Sequence, residues 1–354
     1  MSVYADYKAS RTSWGLGVLG SVIVEIELSD GTCGFGISIG GEPACYIVEQ
    51  HLSRFLIGQD PRNVEQIWDQ MWRATIPYGR KGLAVHAISA VDLALWDLLG
   101  KLRGEPVYAL LGGRSGARLP VYVTTCRPET ALSQNFAGLK IPLPYGPADG
   151  ARGLQRNVDT LAAARETVGP GFPLMVDCYM SLDLPYAIDL GRALEKIGMY
   201  WLEECLPPDD IDGYARLKAA LPHQRLSTGE HEYTRYGFRE LLARRCVDVL
   251  QPDVNWVGGI TEARRIVAMA AAYDIPVIPH GSSVFSYHLQ YAFPNCPMAE
   301  FLVMSAGGDE LVPIFGGLLE NEPLPIDGCI TLSDAPGWGV ELNRTTIKLR
   351  RPYN

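Results

Sequence analysis

What most constrains this chain is a rhythm. From about residue 120 to residue 304, short apolar runs alternate with stretches patterned as helices. The runs are 120–125, 138–143, 173–177, 199–204, 225–230, 247–253, 275–280 and 299–304, and helical periodicity fills 152–168, 185–198, 233–245 and 259–273. Strands with helices between most of them predict a (β/α)8-type barrel, an α/β fold, better than an open doubly wound sheet.

The runs end in chemistry. Asp177 ends the third, Glu203 and Glu204 the fourth, Glu230 the fifth, Asp253 the sixth and His280 the seventh, while Glu300 lies in the eighth. Steps of 26, 27, 23 and 27 residues separate Asp177, Glu203, Glu230, Asp253 and His280. Each step is about one strand-plus-helix unit, so these side chains reach the same rim, where barrels build active sites. Three carboxylates on neighbouring strands repel unless a cation offsets them, and an all-oxygen set favours a hard ion such as Mg²⁺. Asp177, Glu203 and Glu230 are therefore the expected metal ligands; a salt bridge or helix cap is the alternative for any single acid. Asp253, one unit before His280, would fix that histidine's tautomer and raise its basicity, which suits an acid/base pair.

The rest of the chain frames this rim. Val22 to Glu27 and Cys33 to Ser38 flank Ser-Asp-Gly-Thr as a hairpin, and helices are expected near 43–56, 61–75 and 83–103. Glycines 112, 113 and 116 mark a composition break. The division expected is an α+β capping domain over 1–112, the barrel over 113–319, and a segment over 320–354 that returns to the cap, with a strand-like end at 346–349. Gly15-Leu-Gly17-Val-Leu-Gly20 fits a dinucleotide fingerprint, but a hairpin follows where a helix should open, so it reads as a turn. Eight cysteines contain no C-x-x-C pair, and Cys178 and Cys205 beside acids read as packing residues.

Composition removes other classes. Against 31 basic side chains stand 40 acidic ones, a net charge of -9 that gives no reason to bind nucleic acid or an anionic membrane. The most apolar helical stretch, 82–102, is interrupted by Asp92 and Asp97. With no apolar signal core at the start, the expected location is the cytoplasm. The absence of His-x-His disfavours a zinc hydrolase.

Five segments together resemble the enolase superfamily: Met-Val-Asp-Cys-Tyr-Met-Ser-Leu-Asp (175–183), Trp-Leu-Glu-Glu-Cys-Leu-Pro-Pro (201–208), Ser-Thr-Gly-Glu-His (227–231), Gln-Pro-Asp-Val (251–254) and Pro-His-Gly-Ser-Ser (279–283). The His–Asp pair is similar to that of the mandelate racemase-like subgroup. Asp-Tyr-Lys-Ala-Ser-Arg-Thr-Ser-Trp-Gly (6–15), Gly-Gly-Glu-Pro-Ala (40–44), Val-Asp-Leu-Ala-Leu-Trp-Asp-Leu-Leu-Gly-Lys (91–101) and Val-Glu-Leu-Asn-Arg (340–344) resemble, more closely, its rhamnonate dehydratase family.

The resemblance implies an Mg²⁺-dependent acid-sugar dehydratase with L-rhamnonate as the first expected substrate, and a homo-oligomer. His280 would take the C2 proton and then protonate the departing C3 hydroxyl, giving a 2-keto-3-deoxy acid. Glu300 matches the family's eighth-strand acid, which when protonated hydrogen-bonds the substrate carboxylate; a buried acid paired with a cation is the alternative. The subgroup carries Lys-x-Lys on the second strand, whereas this chain has Lys140-Ile-Pro142. Pro142 cannot be a base, so elimination is favoured over racemisation, and Lys140 would contact the substrate carboxylate or form a structural ion pair. His231, Arg11 and Ser282 are further candidate substrate contacts. Packing is the alternative for His231 and a solvated charge for Arg11, with Lys8 beside it. His51, His86 and His223 are expected to have no partners and no role, and His288 to be a packing residue. Members usually begin with a further segment that adds a cap strand and a histidine-bearing loop; with Met1 just before the match, the cap is expected to lack that strand. A dehydratase or racemase for another aldonate remains open, as does a catalytically impaired barrel that binds sugar acids.

Overall fold

The structure is a computed structural model that describes Tyr4 and residues 17–347. Arg11, Lys8 and the end of the expected strand at 346–349 lie outside the described residues. Gly17–Leu19 form a turn with no helix behind it, and the hairpin β1 (Ser21–Glu27) and β2 (Cys33–Ile39) follows. Val22 and Val24 alternate inward on β1 and meet Phe35 and Ile37 of β2 in the core. Three helices come next: α1 (Gly41–Gln50), α2 (Val64–Thr75) and α3 (Leu83–Arg103). Gly34 and Gly36 let β2 lie flush against α3, because a Cβ at either would strike its backbone at Ala94 or Ala90.

By length and apolarity α3 resembles a membrane span, but 94% of its most apolar window is buried inside the protein. Its two acids bind partners in other parts of the fold. Asp92 Oδ2 accepts from Thr261 N (3.0 Å). Asp97 accepts from Phe35 N (3.0 Å) and Trp338 N (2.9 Å) and pairs with Lys101. Burial raises both carboxyls, Asp92 to about 7 and Asp97 to about 6.

After the short α4 (Val107–Leu110), the barrel strands run in chain order. They are β3 (Leu119–Thr124), β4 (Leu139–Pro142), β5 (Leu174–Asp177), β6 (Leu202–Glu203), β7 (Leu226–Thr228) and β8 (Val249–Leu250), parallel neighbours throughout. Between them lie α5 (Pro128–Ser133), α6 (Gly150–Val168), α7 (Leu184–Ala193), α8 (Ile211–Ala220) and α9 (Thr234–Ala243). Then come α10 (Gly259–Ala271), α11 (Val284–Ala292) and β9 (Ala299–Leu302), which pairs with β3 as in a closing barrel. The seventh strand, expected at 275–280, is reduced to one bridge from Val277 to Leu250. Pro276 and Pro279 flank it and have no N–H to give a ladder.

Residues beyond β9 touch both halves of the fold. β10 (Leu319–Glu320) pairs with β12 (Glu341–Leu342), and β11 (Cys329–Ile330) extends the barrel sheet beside β3. Trp338 Nε1 donates to Phe35 O (3.1 Å) in the hairpin. His288 is buried between Tyr108 N (3.0 Å), which donates to its Nδ1, and Trp338 O, to which Nε2–H donates (3.1 Å). Burial lowers its pKa to about 4, so it is a neutral packing residue.

Candidate active site

The barrel carries these groups to one rim: Asp177 and Glu203 end β5 and β6, Glu230 and Asp253 lie just past β7 and β8, and Glu300 lies within β9. Asp177 and Glu203 are partners in the β5–β6 register, and Pro142 lies across from Asp177 on β4. Asp177, Glu203 and Glu230 are all buried, at 4%, 1% and 3% exposure. Burial, outweighing the attraction of Lys140, pushes Glu203 up to about 8, with Asp177, Glu300 and Glu230 adding repulsion. Glu230 rises to about 7 by burial, against the pull of His280, with Glu204 and Asp177 repelling. Apolar strands that collect mutually repelling carboxylates are costly to fold, and a hard divalent cation is the group such oxygens fit.

The rotamers refine the expected trio. Among the described residues, the ligand atoms that come within 4.8 Å of one another belong to Glu204, Glu230 and His231. Glu203 is turned elsewhere: Trp201 Nε1 (3.0 Å) and Gln251 Nε2 (2.8 Å) donate to its Oε2, and Lys140 Nζ pairs with Oε1. The buried ammonium of Lys140 is the nearest counter-charge and draws the carboxylate to it. Neither Trp201 nor Gln251 was expected at the site, and they come from strands on either side of β7.

Lys140 also pairs with Glu300 (2.7 Å), which accepts from Thr124 Oγ1 and from Gly281 N (3.0 Å). Burial opposes ionisation of Glu300, but Lys140 and His280 outweigh it and bring the carboxyl down to about 2. In this arrangement Glu300 is a carboxylate paired with a cation, and the protonated form anticipated from the resemblance is not the one its neighbours favour.

His280 Nδ1 lies 2.6 Å from Asp253 Oδ2, and its Nε2 is 3.8 Å from Glu230. Asp253 Oδ1 is held by Asn255 N (2.7 Å), so the carboxylate that aims the ring is itself aimed. Burial opposes a charged imidazole, but Glu230, Asp253 and Glu300 prevail and raise His280 to about 10. A second pair repeats the design: His231 Nδ1 is 2.8 Å from Glu204 Oε2. Trp256 packs between the two histidine rings, 5.6 Å from His231 and 5.3 Å from His280 between centroids. Ser282 Oγ donates to His280 O (3.2 Å).

His51 and His86 do have partners, contrary to expectation. His51 Nδ1 meets Tyr78 OH (2.6 Å), and His86 Nε2 meets Tyr233 OH (2.8 Å), behind Trp256. Both contacts span long sequence separations, which helical periodicity does not report.

The backbone is strained here. Tyr179 and Glu204, just past the ends of β5 and β6, and Ser283, at the start of α11, have φ of 48°, 45° and 49°. Non-glycine residues adopt such angles at a cost and cluster at functional sites. A cavity of about 490 Å³ opens over Lys140, Asp177, Glu230, His280 and Glu300, with Pro142 in its wall. A larger cleft of about 730 Å³ between α2 and α9 holds none of these groups.

A barrel with an N-terminal cap, an acid-lined rim and a paired histidine defines the enolase class of enzyme. The chain belongs to that superfamily: residues 129–346 match its enolase C-terminal domain-like family, and residues 11–112 match the mandelate racemase / muconate lactonizing enzyme N-terminal domain. It is 52% identical over 355 residues to L-rhamnonate dehydratase of Saccharopolyspora erythraea, covering 100% of this chain and 91% of that protein. The crystal structure of rhamnonate dehydratase from Gibberella zeae complexed with Mg is 52% identical, with a TM-score of 0.95 over 97% of this chain and 85% of that one. A racemase from Streptomyces coelicolor with bound magnesium is 31% identical, with a TM-score of 0.81 over 91% of this chain and 89% of its own.

Proposed function

We propose that this chain is an Mg²⁺-dependent acid-sugar dehydratase with L-rhamnonate as substrate. The observation that carries the reading is the His280–Asp253 pair beside buried carboxylates, with a proline where the resemblance places a second base. Asp177, Glu203 and Glu230 would hold the cation, with Glu203 turning to it from Lys140, Trp201 and Gln251. When bound, Mg²⁺ supplies positive charge that stabilises the negative charge developing on the substrate carboxylate.

The chain's own residues do the rest. Lys140 gives this end of the cavity the cation a substrate carboxylate needs, and Glu300, ionised here, would hold that ammonium in place. Asp253 holds Nδ1–H of His280, and a cation held by Glu230, the carboxylate that raises the imidazole most, would leave Nε2 free to take the C2 proton. The same nitrogen returns that proton to the C3 hydroxyl, which leaves as water, and the enol formed becomes a 2-keto-3-deoxy acid. His231 and Ser282 are proposed contacts for the sugar's hydroxyls, as is Arg11. Pro142 offers no proton acceptor, so inversion at C2 lacks its second face.

Two finer readings accompany this one: the enzyme works in the cytoplasm and as a homo-oligomer. Cell fractionation and light scattering on the purified chain test them. The central test is incubation of the full chain with Mg²⁺ and a panel of aldonates in D₂O. Keto-acid release from L-rhamnonate is expected. Deuterium exchange with inversion at C2 and no keto acid would replace dehydration with racemisation.

A further inference from the structure

At the end of the barrel opposite the rim lies another cavity, of about 430 Å³. Its walls come from the last turns of α6 and from the segments that lead into β5, β6 and β7. It shares no residue with the catalytic cavity. Strands rise about 3.3 Å per residue, so Tyr200 in its wall stands about 10 Å along the chain from Glu203.

The charge of this cavity is one-sided. Arg165, Lys196 and Arg225 line it, and no acid does. The chain as a whole carries 40 acidic against 31 basic side chains, so composition does not account for such a lining. Arg165 is fixed in place: Nε donates to Ile197 O (3.0 Å), Nη1 to Gly169 O (2.9 Å) and Phe172 O (2.7 Å), and Nη2 to Gly198 O (2.9 Å). Neutral carbonyls thus take four of its five N–H groups and leave its charge without a carboxylate. Arg225 lies over the Tyr200 ring, 4.7 Å from the centroid, which steadies the guanidinium and keeps its N–H fork for another partner. Neither Arg225 nor Lys196 has a carboxylate partner among the described residues.

We infer that this cavity binds a small oxyanion of the phosphate class, free or as a phosphomonoester. The inference does not depend on the dehydratase reading. Arg225 offers two parallel N–H donors that match two phosphate oxygens, and Lys196 adds a compact charge for a third. Arg165 supplies a fixed positive charge and its remaining N–H. Three like charges gathered at one cavity repel, and a bound anion removes that cost. It would also join the segments that enter β5, β6 and β7, the strands that carry Asp177, Glu203 and Glu230 to the far rim.

The test is calorimetric titration of the full chain with inorganic phosphate and, separately, with glycerol 3-phosphate. Ionic strength is held fixed, and no Mg²⁺ is added, so that no cation at the rim holds the anion. One site per chain is expected for at least one titrant, and the tighter of the two identifies the source. Arg225→Gln and Lys196→Gln, both at exposed positions, should each weaken that binding about tenfold, the loss of one charge-assisted contact. The double variant should give no measurable heat. Without anion, all three variants should melt at or above the wild-type temperature, because each relieves like-charge repulsion; loss of binding is then kept apart from loss of fold. No heat from either titrant with wild type, or the same affinity in the double variant, overturns the site.

Discussion

Two sets of buried acids occupy this molecule, and they are handled in opposite ways. Asp92 and Asp97 on α3 are met by backbone N–H groups from three separate segments, and Lys101 closes on Asp97. Asp97 is answered where it stands, and Asp92 has one oxygen bonded while its Oδ1 has no partner among the described residues. At the barrel rim Glu230 has no hydrogen-bond donor among the described residues and faces Asp177 and Glu204, with His231 and His280 at 3.5 and 3.8 Å. Acids satisfied by their own fold are fasteners. Acids that the fold forces together are held for something else.

His280→Asn separates the two sets most sharply. It can keep an N–H for Asp253 but removes the proton carrier, so turnover of L-rhamnonate should fall by about 10³-fold or more. Mg²⁺ binding, followed by calorimetry, should persist, and so should the melting temperature. A variant retaining a tenth of wild-type kcat would remove His280 from the proposed chemistry.

Asp97→Ala should do the reverse. It strands the N–H groups of Phe35 and Trp338 and leaves the half-buried Lys101 without its nearest partner. Breaking such a buried set costs about 3 kcal/mol. Denaturant unfolding should show that loss, while the KM of the remaining folded enzyme stays near wild type. Glu230→Gln completes the contrast with a smaller effect. Removing one repelling charge should leave the metal-free melting temperature unchanged or higher, yet weaken Mg²⁺ at least about tenfold. If the metal-free protein instead melts lower, as Asp97→Ala does, Glu230 is a fastener after all.

How much of this is legible in the sequence depends on what sequence distance conceals. The rim acids and His280 were legible because each ends an apolar run one barrel unit from the next, and topology alone brings them together. What holds them was not. Gln251 reaches Glu203 from just past β8, 48 residues later, and Thr124 reaches Glu300 from the neighbouring strand β3, 176 residues earlier, while Trp201, two residues from Glu203, reads in sequence only as part of an apolar run. Asp92 and Asp97 were visible only as interruptions in an apolar helix, since the backbone N–H groups that donate to them lie 62 to 241 residues away. The prolines around Val277 were in plain view, yet the apolar run outweighed them in the reading of a full strand. His86 failed for the same reason as Gln251: its partner Tyr233 is 147 positions distant.

The smallest effect tests whether Asp92 belongs with the fasteners in charge as well as in geometry. Its folded pKa, raised by burial to about 7, lies above the ordinary 3.8, so the folded chain binds the proton more tightly than the unfolded one. Stability contributed by the neutral form is therefore present at low pH and is lost as pH climbs from about 4 through about 7. From pH 6 to pH 7 the part of the change that belongs to Asp92 is about 1 kcal/mol. Asp92→Asn has no proton to lose, while its amide oxygen can still accept from Thr261 N. Its unfolding free energy should fall less than that of wild type across that interval. Parallel pH profiles for the two proteins would mean that Asp92 is ionised in the fold, and that the α3 acids are answered by charge as fully as by hydrogen bonds.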